Sequence, residues 1–303
     1  MHIETVLGKI PVKDAGVFSS HEHILIDLYW HTGDIGGLLN DKELAVKEVE
    51  NFKQAGGDTI VELTNIGLRR DPVGLKEVSM RTGVNIIMGS GWYRQPFYPS
   101  DIEFRTTNDL AKEIIQDVTI GVDQTGIKAG VIGEIGANLD YVTPSEERVH
   151  RASARAANKT GAAIITHSVC YPIGLAQLDI FEEEGTDLRK VIIGHADSYP
   201  SAAYHEAIIK RGAHILFDGF GADWINPERN LITMLTELIK KGFVDNIILG
   251  TDVCTRSYLH EYDGVGYDHL LTKVVPALKE AGISQEEILI MMRKNPGNVF
   301  SYD

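Results

Sequence analysis

Six residues of the kinds that hold transition-metal ions are spread along this 303-residue chain. They are a His-x-His pair, a glutamate, two further histidines and an aspartate, namely His21, His23, Glu134, His167, His195 and Asp252. Neutral imidazole and carboxylate are suitable ligands for zinc, cobalt, nickel and manganese. Residues two apart in an extended chain point to the same side, so both imidazoles of the pair face one point and Glu22 faces away.

Six protein ligands exceed what one catalytic ion takes while it keeps a coordination position open. We therefore expect a two-metal centre, with the His-x-His pair and Asp252 on one ion, the two later histidines on the other, and Glu134 bridging them. Two ions about 3.5–4 Å apart share a hydroxide, lower the pKa of its parent water and polarise a substrate oxygen. Zinc is the first expectation, with cobalt, nickel or manganese as alternatives.

Taken singly, each candidate ligand also has an ordinary structural interpretation. A histidine at the end of a strand is more often hydrogen-bonded than metal-bound. Asp252 could cap the turn that follows it, and Glu134 could pair with a buried cation. The interpretation as a site therefore depends on whether one fold brings all the candidates to one place.

Short apolar runs rich in β-branched residues recur eight times along the chain. They cover residues 16–20, 58–63, 84–88, 129–132, 162–166, 191–194, 213–217 and 246–250. Their hydrophobicity is nearly continuous rather than alternating, which is typical of parallel strands buried on both faces. Each candidate ligand stands at the end of one of these runs or directly after it.

The segments between these runs have helical spacing and recognisable ends. Helices are expected to begin near Asp41, Thr107, Thr143 and Pro227, and a final one after Ser284 is expected to end at residues 295–297. Eight strand–helix units of about 38 residues suit a (β/α)8 barrel. A doubly wound sheet is disfavoured because no GxGxxG follows the first strand. We predict an α/β protein: a single TIM-barrel domain over residues 1–303 with an extra C-terminal helix. Catalytic groups of such barrels lie at the carboxyl ends of the strands.

At these residues the sequence resembles the phosphotriesterase family of the amidohydrolase superfamily. The similar motifs are 21–23, 91–93, 126–132, 167, 193–195 and 250–252. It is most similar to the bacterial phosphotriesterase homology proteins, because Glu134 stands where the phosphotriesterases proper carry a carbamylated lysine. Glutamate is a shorter arm, and Gly133 occupies the position equivalent to the lysine. A bulge must therefore turn Glu134 inward.

The resemblance implies a metal-dependent hydrolase in which a metal-bridging hydroxide attacks an ester-like centre and Asp252 accepts its proton. Many members are lactonases, so the expected small-molecule substrate is a lactone or carboxylic ester, with a phosphorylated sugar lactone as one form. Organophosphate hydrolysis is an alternative, as is a mononuclear deaminase-like amidohydrolase. A barrel that binds metal without catalysis is a further alternative.

Substrate contacts are predicted from residues beside the candidate ligands. Arginine binds carboxylate or phosphate through its bidentate fork, and Arg94 and Arg256 both follow predicted strands closely. Arg256 is the nearer of the two to a ligand, so we expect it to hold a charged substrate. Trp92, Tyr93 and Trp224 are expected to line the pocket or a lid.

Composition excludes several other classes of protein. The formal net charge is −14, which disfavours nucleic acid or an anionic membrane as a partner. No apolar run approaches the length of a membrane span, and the first residues lack the pattern of a secretory signal. Two cysteines without CxxC spacing fit a reducing compartment, so a cytoplasmic location is expected. Homodimers are common among proteins of this family, although no self-complementary signature is visible in the sequence.

Overall fold

The computed structural model describes residues 1–222 and 226–302. Its strands are short, and the eight that form the main sheet lie at the predicted positions. In chain order the strands are His2–Thr5 (β1), Gly8–Pro11 (β2), Phe18–Glu22 (β3), Ile26–Asp27 (β4), Leu38–Leu39 (β5), Thr59–Glu62 (β6), Asn85–Ser90 (β7), Val131–Gly136 (β8), Ile164–His167 (β9), Val191–Ile193 (β10), His214–Phe217 (β11) and Ile247–Leu249 (β12).

The main sheet is parallel throughout and runs in the order β3-β6-β7-β8-β9-β10-β11-β12. Its two outer strands meet, because the backbone N–H of Asp252, just beyond β12, donates to the carbonyl of His21 on β3 at 2.9 Å. The sheet therefore curls into a nearly closed (β/α)8 barrel, as predicted. The hairpin of β1 and β2 lies outside it, and β4 pairs with β5 after the first barrel strand.

Helices connect the strands and surround the barrel. They are Tyr29–Thr32 (α1), Lys42–Gln54 (α2), Pro72–Thr82 (α3), Thr107–Thr119 (α4), Pro144–Thr160 (α5), Gly174–Glu183 (α6), Ala202–Lys210 (α7), Glu228–Lys240 (α8), Val275–Glu280 (α9), Gln285–Leu289 (α10) and Asn295–Val299 (α11). Each of the four predicted helix starts lies within one residue of the start of a helix in the structure. The Asp41 side chain accepts from two backbone N–H groups of α2, and Thr143 forms a capping box with Glu146 on α5.

The prediction that the last helix ends at residues 295–297 is wrong. Beyond α10 the helix widens into a π-helical turn over Ile290–Lys294 and continues as α11 to Val299. The wider turn interrupts the α-helical hydrogen-bond pattern, so Pro296 stands in the first turn of a new segment. A proline there needs no N–H donor and does not stop the chain.

Apolar side chains fill both the barrel interior and the layer between strands and helices. Phe18, Val61, Ile87, Val131 and Ile165 belong to the interior cluster, and all are almost fully buried. A filled interior leaves room for polar side chains only at the ends of the strands. Among residues 1–222 and 226–302, no helix is long and apolar enough to cross a membrane.

Candidate metal centre at the barrel mouth

All six predicted ligands lie at the carboxyl end of the barrel. Each ligand is located at or just beyond the carboxyl end of a barrel strand. His21 lies on β3 with His23 just beyond it, and Glu134 lies on β8. His167 ends β9, and His195 and Asp252 follow β10 and β12. Five are almost fully buried, whereas the Asp252 side chain keeps 28% of its surface exposed. Because the strands are parallel and the barrel is closed, residues far apart in sequence meet at one mouth.

Glu134 lies at the centre of this cluster. Its Oε2 atom is 2.8 Å from Nδ1 of His167 and 3.7 Å from Nε2 of His195. The same oxygen is 3.7 Å from Nε2 of His21, and Oε1 is 3.5 Å from Nε2 of His23. One carboxylate therefore faces four imidazoles that come from three different strands.

Asp252 joins the His-x-His side of the cluster. Its Oδ1 atom is 3.4 Å from Nε2 of His23 and 3.6 Å from Nε2 of His21. These three residues form one group whose ligand atoms lie within 4.8 Å of one another, and Glu134, His167 and His195 form a second. The two groups are adjacent, and Glu134, predicted as the bridge between two ions, counts with the second group.

A bulge in β8 turns Glu134 toward the centre, as the sequence predicts. The register between β8 and β9 shifts between Ile132 and Ile135. Gly133 has a φ of +151°, and a Cβ atom there would lie 2.7 Å from the carbonyl oxygen of Ile165. A residue with a side chain is excluded at this position, so glycine is what allows the glutamate beside it to face the mouth.

Asp218 belongs to the site, although the sequence analysis did not select it. It is fully buried directly after β11, and its two carboxylate oxygens lie 2.7 Å from Nδ1 of His21 and 2.8 Å from Nδ1 of His195. One carboxylate thereby orients an imidazole from each group. Its position after the seventh barrel strand, level with the ligands, is the signal that could have identified it.

Hydrogen bonds at Nδ1 orient both imidazoles of the His-x-His pair, through Asp218 at His21 and Thr64 at His23. Thr64 Oγ1 is 3.0 Å from Nδ1 of His23, which directs Nε2 of that ring toward the cluster. Within the described part of the chain, Nε2 of His21 is buried and has no hydrogen-bond partner. A buried nitrogen lone pair aimed at carboxylates is suited to a metal ion.

The charge of the cluster also favours cations. Burial alone lowers the pKa of His23, but Asp252 and Glu134 outweigh it and raise that pKa to about 10. At His195, too, burial lowers the pKa, but Asp218 and Glu134 have the larger effect and raise it. At His167 the effect of burial is larger than that of Glu134, and the pKa is lowered to about 4. The carboxylates therefore draw positive charge to the mouth, and divalent ions bound by neutral imidazoles would supply it.

Replacing Asp218 with asparagine should weaken metal binding about 10–100-fold, as loss of an outer hydrogen bond to a ligand typically does. An amide has one acceptor oxygen, so it can orient only one of the two imidazoles. Competition between apoprotein and a chelator for Co²⁺ would measure the change. Asp117→Asn is the control, because Asp117 is equally buried but bonds Ser90 and Arg70 away from the mouth. If the Asp218→Asn protein bound Co²⁺ as tightly as the control does, Asp218 would not be needed to orient the two ligand imidazoles.

A cavity of about 530 Å³ opens beside Asp252. Its walls come from the loops after β10, β11 and β12 and include His195, Ser198, Asp218, Asn226, Asp252, Cys254, Thr255 and Tyr258. Among the described residues that line it there is no lysine or arginine. The cavity gives a small molecule access to the one ligand that is partly exposed.

Tyr93 and Arg94 lie against the second group of ligands. The Tyr93 hydroxyl is 3.2 Å from Nε2 of His167, and the Arg94 guanidinium covers the Tyr93 ring at 5.0 Å. Within the described residues, Nε of Arg94 is buried and has no hydrogen-bond partner. These two predicted substrate residues are therefore next to the centre.

Trp92 and Arg256 are placed elsewhere. Trp92 is fully buried in the core, where the Arg105 guanidinium covers its ring at 5.3 Å. Arg256 turns away from the cavity, and its Nε donates to the carbonyl of Leu38 at 3.0 Å. Trp224, the third aromatic residue predicted to line the pocket, lies outside the described residues.

A closed parallel barrel with a carboxylate–imidazole cluster at its mouth defines the class of metal-dependent barrel hydrolases. The model of the phosphotriesterase family matches residues 1–300. The chain belongs to the phosphotriesterase family, which confirms the resemblance predicted from the motifs, and it is a metal-dependent hydrolase.

The chain is similar in sequence or structure to several proteins of known name, including the following three. The phosphotriesterase homology protein of Escherichia coli is 33% identical, with 94% of this chain and 98% of that protein aligned, and its structure superimposes with a TM-score of 0.93. A lactonase from Listeria monocytogenes is 29% identical and superimposes with a TM-score of 0.95 over both whole chains. An N-acetyltaurine hydrolase of Dictyostelium discoideum is 35% identical over 85% of this chain and 73% of that protein.

Proposed function

We propose that the protein hydrolyses a lactone or carboxylic ester at a two-metal centre formed by the six residues at the barrel mouth. The observation that carries this proposal is the convergence of two ligand groups around Glu134, with one carboxylate, Asp252, open to a cavity. Zinc is the expected metal, and cobalt, nickel and manganese suit the same ligands.

The bound ions would supply an activated water and polarise the substrate carbonyl. Asp252 is the group suited to accept the proton of that water, because its side chain alone among the six is substantially exposed. Tyr93 and Asp218 act on ligands instead: they hold the imidazoles of His167, His21 and His195 in fixed orientations. The buried surroundings exclude water from the rest of the cluster.

Support for a lactone comes from the cavity and from one relative. Its walls offer hydroxyl and amide groups such as Ser198, Asn226 and Thr255, and the described walls contain no lysine or arginine. Such walls suit an uncharged, hydroxyl-bearing ring. The similarity to the Listeria lactonase agrees with this choice.

A second candidate is hydrolysis of an N-acylated amine such as N-acetyltaurine. The relative from Dictyostelium is named for that activity, and water attack on an amide uses the same centre as attack on an ester. N-acetyltaurine and a phosphorylated lactone are both anions. The observation that favours an anionic substrate is the unpaired Nε of Arg94 beside His167.

A substrate panel tests these alternatives on metal-replete protein. It contains uncharged lactones, phosphorylated sugar lactones, an aryl ester, an aryl phosphotriester and N-acetyltaurine, with ammonia release measured separately on amino-substituted rings. We expect the highest kcat/KM with a lactone. Faster turnover of N-acetyltaurine would select the second candidate, and ammonia release would indicate a deaminase. Metal-replete protein inactive on the whole panel would favour a non-enzymatic metal-binding barrel.

Arg94→Ala should raise KM about 10–100-fold for an anionic substrate and leave KM for an uncharged lactone almost unchanged. Loss of a charge-assisted hydrogen bond between the guanidinium and an anionic group weakens binding by about this factor. An uncharged lactone does not form such a bond. Steady-state kinetics on a phosphorylated lactone and its unphosphorylated counterpart would measure the difference. Arg256→Ala is the matched control, because that guanidinium bonds Leu38 outside the cavity. The reverse result would restore Arg256 as the anion-binding residue.

A further inference from the structure

Glu22 lies between two of the ligands and has no place in the chemistry described so far. It is the last residue of β3, between His21 and His23, and it is fully buried. Its side chain points away from the ligand cluster, as the alternation of an extended chain requires. A buried carboxylate needs hydrogen-bond donors, so the identity of those donors indicates what it does.

Of the four donors that the described residues offer it, three come from the loop that carries Asp252. Oε1 accepts from the backbone N–H of Thr251 at 3.1 Å and from the Thr251 hydroxyl. Oε2 accepts from the backbone N–H of Val253 at 2.9 Å, and the remaining donor is the Ser19 hydroxyl. The carboxylate therefore bonds to the residues on both sides of Asp252.

Asp252 has a backbone conformation that needs such support. Its φ of +51° lies in the left-handed region, which is unfavourable for a residue other than glycine. Its own N–H donates to the carbonyl of His21 at 2.9 Å, and its partly exposed carboxylate extends toward His21 and His23. The direction of that carboxylate depends on how the turn of residues 251–253 is held.

We propose that Glu22 is a positioning residue that holds residues 251–253 in the turn that aims the Asp252 carboxylate at the His-x-His pair. Glu22 thus links the ends of β3 and β12. Its neighbours in sequence provide the imidazoles of the His-x-His pair, and its side chain holds the turn that orients the Asp252 carboxylate toward them. The inference rests on the proposed two-metal centre.

Glu62 provides a matched comparison. It is also fully buried beside the mouth, and its carboxylate accepts from the backbone N–H groups of Ile24 and Thr64, both at 3.2 Å. Thr64 bonds to His23, so Glu62 supports an imidazole and has no hydrogen bond to residues 251–253. Both carboxylates are buried and accept hydrogen bonds from backbone N–H groups. Of the two, only Glu22 accepts from the residues on either side of Asp252.

The test is a double-mutant cycle on the affinity of the apoprotein for Co²⁺, measured by competition with a chelator. Glutamine at position 22 offers one acceptor oxygen, so Glu22→Gln leaves at least one of the flanking N–H groups unpaired. We expect Glu22→Gln to raise Kd about 10–100-fold in the natural sequence, as loss of an outer-shell partner does. In an Asp252→Ala background, which has no ligand oxygen for the turn to aim, its effect should fall to about twofold, because residues acting through one another are not additive.

Glu62→Gln should change Kd by the same factor in both backgrounds. Amide hydrogen exchange at Thr251 and Val253 gives a second readout without metal, and exchange there should accelerate in Glu22→Gln and not in Glu62→Gln. If Glu22→Gln does not fold, Thr251→Val removes one donor and keeps the carboxylate, with a smaller rise in Kd that again disappears in Asp252→Ala.

Two results would overturn the inference: a Kd for folded Glu22→Gln equal to that of the natural sequence, or factors for Glu22→Gln and Asp252→Ala that simply multiply. Either result would leave the proposed function intact, provided that the natural sequence binds Co²⁺. Failure of the natural sequence itself to bind any metal would instead remove the two-metal centre on which the inference rests.

Discussion

Replacing Glu134 with glutamine should remove at least one metal ion per chain and lower kcat/KM by about 10³-fold, or about 4 kcal/mol of transition-state stabilisation. Of the two carboxylates among the six predicted ligands, Glu134 is the one that faces imidazoles of both ligand groups, at 2.8–3.7 Å. The amide has the same shape but loses the negative charge and one acceptor, so it cannot serve both groups. Elemental analysis after reconstitution gives the metal content, and steady-state kinetics on the best lactone gives the rate.

Glu48→Gln controls for the cost of changing a buried glutamate. Glu48 is fully buried on α2, and it accepts from the backbone N–H groups of His260 and Glu261. That variant should keep its full metal content even if its midpoint of thermal unfolding falls. A Glu134→Gln protein with undiminished metal content and activity would refute the central position assigned to this carboxylate.

Asp252→Asn should lower kcat by about 10²–10⁴-fold, the range that a general base contributes. The amide still has an oxygen that can face a metal ion, but it cannot accept a proton from water. We therefore expect a larger loss in kcat than in metal content, which distinguishes Asp252 from Glu134. Parallel measurement of metal content and of kcat at saturating lactone checks this separation.

Asp123→Asn is the control for the unusual backbone conformation. Asp123 also has a positive φ, of +49°, and it lies away from the mouth, where it pairs with Arg70. Its replacement should leave kcat within about twofold of the natural sequence, as surface substitutions usually do. An Asp252→Asn protein that retains kcat while metal binding collapses would make Asp252 a ligand only, and another group would have to accept the proton.

Glu134 and Asp252 differ because the barrel buries them differently. Glu134 is enclosed by four imidazoles, whereas Asp252 borders the cavity beside the cluster. Substrate preference should in turn depend on the loops after β10, β11 and β12, which line that cavity. Changes in these loops would alter the substrate without disturbing the strands that hold the ligands.

The strands and the places of the ligands could be read from the sequence because both are local properties. A parallel strand buried on both faces requires a continuous apolar run, so eight such runs marked eight strands. Strands of one barrel end at one mouth, and this placed Glu134, His167 and His195 together although 33 residues separate the first two and 28 the last two. The bulge at Gly133 was predicted from the family resemblance, because Glu134 stands one residue beyond the position of the lysine.

Side-chain partners beyond the strand ends were decided only by the tertiary structure. Asp218 follows an apolar run as the ligands do, but its role depends on two imidazoles from other strands lying within hydrogen-bonding distance. Arg256 stands four residues from Asp252, yet its guanidinium turns to the carbonyl of Leu38. Local sequence determines where a strand stops, whereas the direction of a loop side chain depends on contacts with segments hundreds of residues away, and no local pattern records them.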